Sequence, residues 1–298
     1  MEYETLKREV SKELLDKLRK EDLFMDKLLP DVLVGDVFPA IRKNRVDFYY
    51  YNSRLFEYDG TFKTHHKFAF VPEHYKTGSV GENDNTQKVG SFYKGYENIK
   101  ERAKLYSSVE SMGVYDICKS GNVYNKDYVT LDIEVAFTRQ DNSEDEPEGT
   151  ITQIEPDNNI KKEKKQNRID ILLYNLQERN LKFVEAKHFI NKEIRSTGKP
   201  AVVEQISRYN KIIKEKSSDI ISAYSKYVGD INQLLDIQLP VPESLSQECG
   251  LIIFGFDDDQ KSGKLEESII SNLKQYDIKV YAKGSTKKID VETIYKNT

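Results

Sequence analysis

No stretch of this 298-residue chain reaches the roughly 20 consecutive apolar residues that a membrane-spanning helix needs. The opening run, MEYETLKREVSKELLDKLRKEDLF, is charged throughout, which argues against a signal peptide. Cysteine is scarce: Cys118 and Cys249 lie far apart and lack metal-ligand spacing, so neither a zinc cage nor a disulfide framework is expected, and a reducing cytoplasm is the simplest compartment. There is no glycine-rich phosphate loop, so an NTPase is not expected. Positive charge is not in excess either. With 46 basic and 50 acidic residues the net charge is −4, and any nucleic-acid contact has to come from local basic patches. What remains is 38% hydrophobic and 32% charged, the composition of a soluble globular protein large enough for one big domain or two ordinary ones.

The chain divides by texture. Residues 3 to 28 carry Leu6, Val10, Leu14 and Leu18 at helical spacing, and Pro30 is expected to stop that helix. From 32 to about 75 the pattern is aromatic and β-like, with turn signals at Asn52-Ser53 and Asp59-Gly60. KTGSVGENDNTQKVGS reads as a loop, and residues 94 to 112 as one helix with Ile99, Ala103 and Tyr106 inward. Three strands follow: YVTLDIEVAF (128–137), RIDILLYN (168–175) and LKFVEAKHF (181–189). An acidic then lysine-rich segment between the first two cannot support a core and reads as a long hairpin loop. Pro200 opens a helix with Val202, Ile206 and Ile213 inward, and a second helical stretch ends before Pro240. GLIIFGF is a fully apolar strand, and a helix (KLEESIISNLKQY) and a strand (DIKVYAKG) complete the series. The expected architecture is α/β, with an N-terminal helix and small β region over 1–92 and an α/β domain over 93–298.

Charges intrude where strands should be apolar. Glu185 and Lys187 interrupt LKFVEAKHF and point to the same side of that strand. Asp170 sits in the preceding strand, and a hairpin turning near Asn180 brings all three to one end of the sheet. Burying any of them alone is costly unless it is paired or holds a metal. Two close carboxylates suit Mg²⁺, which takes oxygen ligands and keeps several waters. A neighbouring lysine adds a compact charge that can stabilise a phosphate transition state or help position a water.

Asp170, Glu185-Ala186-Lys187, and the order of a helix, three meandering strands, a helix and a further strand resemble the PD-(D/E)XK nuclease superfamily. Gln205 and Tyr209, one helical turn apart in EQISRYN, resemble the Q-x-x-x-Y element of its RecB-like branch. The resemblance covers roughly residues 94 to 257; Ile169 stands where the family often has proline. It implies a restriction-endonuclease-like core (αβββαβ, mixed sheet flanked by helices) and a metal-dependent nuclease acting on DNA. Asp170 and Glu185 would then be metal ligands for Mg²⁺, with Mn²⁺ able to substitute, and Lys187 the catalytic lysine. Gln205 and Tyr209 would line the site. Roles in bacterial defence or repair follow by the same analogy; residues 1–92 would recognise substrate or a partner protein, and double-strand cutting would call for a homodimer. For a third carboxylate the candidates are Glu134, which breaks the apolar strand LDIEVAF beside Asp132, and Glu101 and Glu110 on the helix before it.

Other features read as structural. His65, His66 and His74 match no metal-binding spacing, His188 lies on the opposite strand face from the motif, and Ser207 has no nucleophile context. Arg42, Lys43, Arg45 and Arg54 are interleaved with aromatics, which suits either nucleic-acid stacking or the core of a small β domain; the latter is expected. Lys192, Arg195 and Lys199 flank the proposed site as exposed basic loop residues. The competing function is a catalytically silent module of the same fold that binds nucleic acid or a partner; a small-molecule enzyme would need a closed pocket instead.

Overall fold

The computed structural model describes residues 6–71, 78–84, 87–121, 124, 126–137, 167–196, 198–287 and 289–298. The fold is α/β, built on two sheets flanked by helices. The expected hairpin loop between 138 and 166, and His74, lie outside the described residues.

The chain opens with short helices α1 (Lys12–Leu18) and α2 (Leu29–Leu33). The single amphipathic helix expected over 3–28 is therefore interrupted. Ser11 caps α1, its side chain accepting from the Leu14 amide, and Pro30 lies in the first turn of α2. The helical run is nevertheless continuous from a wide turn over Phe24–Leu28 into α2, so Pro30 sits inside it without stopping it: the Leu29 amide bonds five residues back to the Phe24 carbonyl, and that wider turn accommodates the proline.

The first sheet is an antiparallel meander of β1 (Phe38–Arg42), β2 (Arg45–Tyr50), β3 (Ser53–Tyr58), β4 (Phe62–His65) and β5 (Ser79–Gly81). Strand β5 falls in the stretch expected to be loop. The β2–β3 turn holds Tyr51 and Asn52 at φ of 50° and 57°, the left-handed pair that a two-residue hairpin needs to match strand twist.

Helices α3 (Phe92–Leu105) and α4 (Val109–Gly121) replace the single helix expected over 94–112. The break comes at Ser107 and Ser108, where the Ser108 hydroxyl accepts from the Ser111 amide and starts a new helix.

The second sheet runs β11-β10-β8-β7-β6, with β9 beside β8. Strands β6 (Tyr128–Phe137), β7 (Asn167–Asn175) and β8 (Asn180–His188) form an antiparallel meander. Helices α5 (Ala201–Glu215) and α6 (Ser217–Leu235) follow. Strands β9 (Ser244–Leu245) and β10 (Gly250–Phe254) each run parallel to β8. A helical stretch from α7 (Asp258–Gln260) to α8 (Ser271–Lys274) leads to β11 (Val280–Lys283), parallel to β10. The chain closes with α9 (Val291–Asn297), an element the sequence pattern did not suggest; its N-cap Asp290 accepts from the Thr293 amide.

One continuous core joins side chains from both halves: Leu15, Phe48 and Phe56 pack in the same cluster as Leu172, Tyr224 and Leu251. At its centre is a buried charge network. Asp132 accepts from Arg8 Nε at 3.1 Å, Arg42 Nη1 at 2.8 Å and Tyr224 Oη at 2.8 Å, and both arginines and the aspartate are almost fully enclosed. Among the described residues no helix is long and apolar enough to cross a membrane.

Candidate active site

The sheet register aligns three carboxylates. Ile133 pairs with Ile171 and Val135 with Ile169 between β6 and β7, while Ile171 pairs with Val184 between β7 and β8. One step further along both ladders, Glu134, Asp170 and Glu185 stand abreast on three neighbouring strands. Like charges opposite one another weaken a sheet. Something must offset this row.

Part of the answer is Lys187, two residues beyond Glu185 on the same strand side. Its ammonium lies 2.8 Å from Glu185 Oε1 and 2.8 Å from Glu193 Oε2, with Lys187 and Glu185 both buried. Glu185 Oε2, equally buried, has no hydrogen-bond partner. Asp170 keeps some exposure, and its Oδ2 accepts from the Ala186 amide at 2.8 Å, which fixes it against β8. Burial raises the Asp170 carboxyl well above the ordinary range, Glu185 raises it further, and Lys187 only partly opposes them. Glu185 itself is pushed up to about 7 by burial, against the pull of Lys187. Burial would lower the Lys187 ammonium, but Glu185, Asp170 and Glu193 outweigh it and hold the lysine protonated. The cluster has more negative charge than its one lysine balances.

Glu134 is drawn aside. Its backbone takes φ of 51°, a conformation bulky residues rarely adopt. Its two oxygens accept from Asn52 Nδ2 at 2.6 Å and Arg168 Nη1 at 3.2 Å. Glu134 and Asp132, expected on one face, thus have separate surroundings: a register shift between Thr130 and Asp132 sends the aspartate into the arginine network.

Gln205 and Tyr209 reach the site from α5, which packs over β7. Gln205 Nε2 donates to Tyr209 Oη at 2.8 Å, and Tyr209 Oη donates to the carbonyl of Arg168, two residues before Asp170. Gln205 Oε1 is buried without a partner. Burial, then Glu185 and Asp170, raise the Tyr209 hydroxyl, which places that helix within the field of the carboxylates.

Of the other carboxylates named from sequence, Glu110 stands in the first turn of α4 and closes the end of β8. Its Oε2 accepts from the His188 amide at 3.0 Å and Asn191 Nδ2 at 2.7 Å. Glu101 is exposed on α3. Glu193 escaped sequence reasoning, because one glutamate among Lys192, Arg195 and Lys199 looks like surface. Its signal is Asn191, whose side chain accepts from the Glu193 amide and starts a short turn toward Lys187.

Of the flanking basic residues, Lys192 is exposed, and Arg195 and Lys199 have local partners. Arg195 Nε donates to the Phe189 carbonyl at 2.8 Å and its guanidinium lies over the Phe189 ring, while Lys199 faces Glu204 at 3.7 Å. The arginines of the first sheet belong to its core: Arg42 joins Asp132, and Arg45 and Arg54 face Asp47. His188 packs edge-on to Phe254, and Ser207 donates to the Val203 carbonyl within its own helix. The His65 and His66 rings lie 4.2 Å apart, tilted by 37°.

Among the described residues no three His, Cys, Asp or Glu side chains converge closely enough to hold a metal ion by themselves. A divalent cation could rest on Asp170 and the orphaned Glu185 oxygen, completing its shell with water or phosphate oxygens, as Mg²⁺ commonly does. No family model, curated protein or solved structure matches this chain.

Proposed function

We propose that the chain is a metal-dependent nuclease that hydrolyses phosphodiester bonds, most naturally of DNA, at the Glu134–Asp170–Glu185 row. The observation that carries this reading is the buried Glu185 Oε2 without a partner, beside an Asp170 carboxyl that burial and Glu185 itself force upward. That is a preformed demand for a cation. In this reading the meander β6–β8 between α4 and α5, with β10 parallel to β8, is a restriction-endonuclease-like core of the PD-(D/E)XK superfamily.

Asp170 and Glu185 would hold Mg²⁺, or Mn²⁺ in its place. The bound ion would lower the pKa of a coordinated water and neutralise charge on the phosphate. The chain's own residues supply the rest. The Ala186 amide orients Asp170, Glu193 and Glu185 keep Lys187 protonated, and that ammonium offers a fixed positive charge to the phosphate as negative charge grows on it. Gln205 and Tyr209 brace the backbone of β7 next to Asp170. Asn52 and Arg168 engage both oxygens of Glu134, so in this reading it borders the pair and the two ligands are Asp170 and Glu185.

One observation favours a second reading. Lys187 is already satisfied by two carboxylates, as it would be in a silent module that keeps the charges for structure and binds nucleic acid or a partner. Cleavage separates the two. Supercoiled, linear and single-stranded DNA are incubated with Mg²⁺, Mn²⁺ or EDTA, using wild type and Lys187→Ala. Metal-dependent cutting that the variant loses supports the nuclease; a chain that neither cuts nor binds metal is the silent module.

A further inference from the structure

Bulky residues avoid positive φ unless the surrounding structure compels it, and such outliers gather at functional sites. Phe70, in the turn after β4, is held at φ of 61° and is 37% exposed. Burial of an apolar ring does not explain this strain. The ring faces the guanidinium of Arg102 on α3, 4.4 Å from its centroid. The same guanidinium lies 5.3 Å from the Tyr106 ring, and its Nη2 donates to Tyr106 Oη and to the Lys67 carbonyl, each at 3.1 Å. Tyr106 is 46% exposed, with the Lys67 ammonium 5.7 Å from its ring. Three flat groups, Phe70, Arg102 and Tyr106, thus form a partly open ladder edged by cations.

The ladder leads to the carboxylate row by direct contacts. Next to Tyr106, the Ser107 hydroxyl donates to the Tyr51 carbonyl at 3.0 Å. Tyr51 stacks on Tyr115 with centroids 4.1 Å apart, under the ammonium of Lys104 at 5.1 Å. Asn52, the other left-handed residue of that turn, donates to Glu134.

From this geometry we infer that the Phe70–Arg102–Tyr106 corner is a stacking platform for single-stranded DNA, delivering the strand past Tyr51 to the carboxylate row. The inference rests on the nuclease reading and names the substrate form that site receives. An unpaired base presents a π-face to any open ring or guanidinium whatever its identity, whereas a duplex hides those faces. Arg102 and Lys104 provide the phosphate-matching charge that a chain of net charge −4 lacks globally. The arginines of β1–β3 do not compete for this role, since Arg42 is enclosed and Arg45 and Arg54 face Asp47.

The test is fluorescence anisotropy with labelled oligothymidylate of about 20 nucleotides, in EDTA so that binding is read without cleavage. Competitors are a duplex and an oligouridylate of the same length. The variants are Phe70→Gly, Tyr106→Ala and the double. Glycine adopts the left-handed conformation without strain, so Phe70→Gly removes the ring and keeps the fold, which thermal denaturation checks. The expected result is tightest binding to oligothymidylate, a Kd weakened about 5-fold or more by each single change, and a larger loss in the double. Duplex bound as tightly, RNA preferred, no binding by wild type, or a double variant with unchanged Kd each overturns the platform. A protein that cuts nothing yet shows the expected Kd series overturns the nuclease reading alone.

Discussion

Replacing Glu185 by glutamine should make the metal-free protein more stable at neutral pH, although it deletes a buried ion pair. The ordinary carboxyl value of 4.5 rises to about 7 in the fold, driven first by burial. At 1.36 kcal/mol per pH unit that rise corresponds to about 3 kcal/mol. The sign follows from the direction of the shift. A carboxyl whose pKa is raised on folding favours the folded state below about pH 4.5, and that contribution is lost as pH climbs through about 7. Glutamine carries no such dependence, and Lys187 retains Glu193 at 2.8 Å as its partner. Urea denaturation of both proteins in EDTA, at pH 5 and pH 8, should therefore show wild type losing roughly 3 kcal/mol relative to Glu185→Gln between the two conditions. Added Mg²⁺ should restore wild type at pH 8 and leave the variant unchanged. If the stability difference between the two proteins is the same at both pH values, Lys187 already balances Glu185 and the demand for a cation does not exist.

Three further outcomes follow from the packing. Asp132→Ala leaves Arg8 and Arg42 buried without their shared carboxylate and should cost about 3–5 kcal/mol in urea denaturation; a loss under 1 kcal/mol would mean the network contributes little. Asn52→Gly keeps the left-handed turn but frees one Glu134 oxygen, so initial cleavage rates should fall about ten-fold with the melting temperature nearly unchanged. Gly255→Ala sets a Cβ 2.1 Å from His188 Nε2 at φ of 79° and should destabilise by about 1–3 kcal/mol. Adding His188→Ala clears the contact but not the strain, so only part of that loss returns in the double variant.

The strands were legible because their composition leaves little choice. YVTLDIEVAF, RIDILLYN, LKFVEAKHF and GLIIF are β-branched and apolar, and each forms the strand expected within a residue or two. The Asp170–Glu185 alignment was legible too, since a tight turn near Asn180 fixes the register of a hairpin. What escaped depends on partners distant in sequence or on single-residue chemistry. Asn52 reaches Glu134 from another sheet, and no local pattern announces that contact. Glu193 is hidden among surface lysines until Asn191 turns it inward. The division between α3 and α4 rests on one serine cap, and Pro30 lies inside a helical run where its usual reading ends one, because a wider turn over Phe24–Leu28 precedes it. The basic, aromatic stretch of β1–β3 has the composition of a nucleic-acid surface, yet Asp47 and Asp132 draw its arginines inward. Sequence carries such a cluster's composition but not its exposure.

Whether Asp170 and Glu185 hold a divalent cation can be read from anomalous diffraction of crystals soaked in Mn²⁺. One strong peak is expected within ligating distance of Asp170 and Glu185 Oε2, lost in Asp170→Asn. A peak elsewhere, or clear density with Glu185 bound only to Lys187 at saturating Mn²⁺, would contradict it.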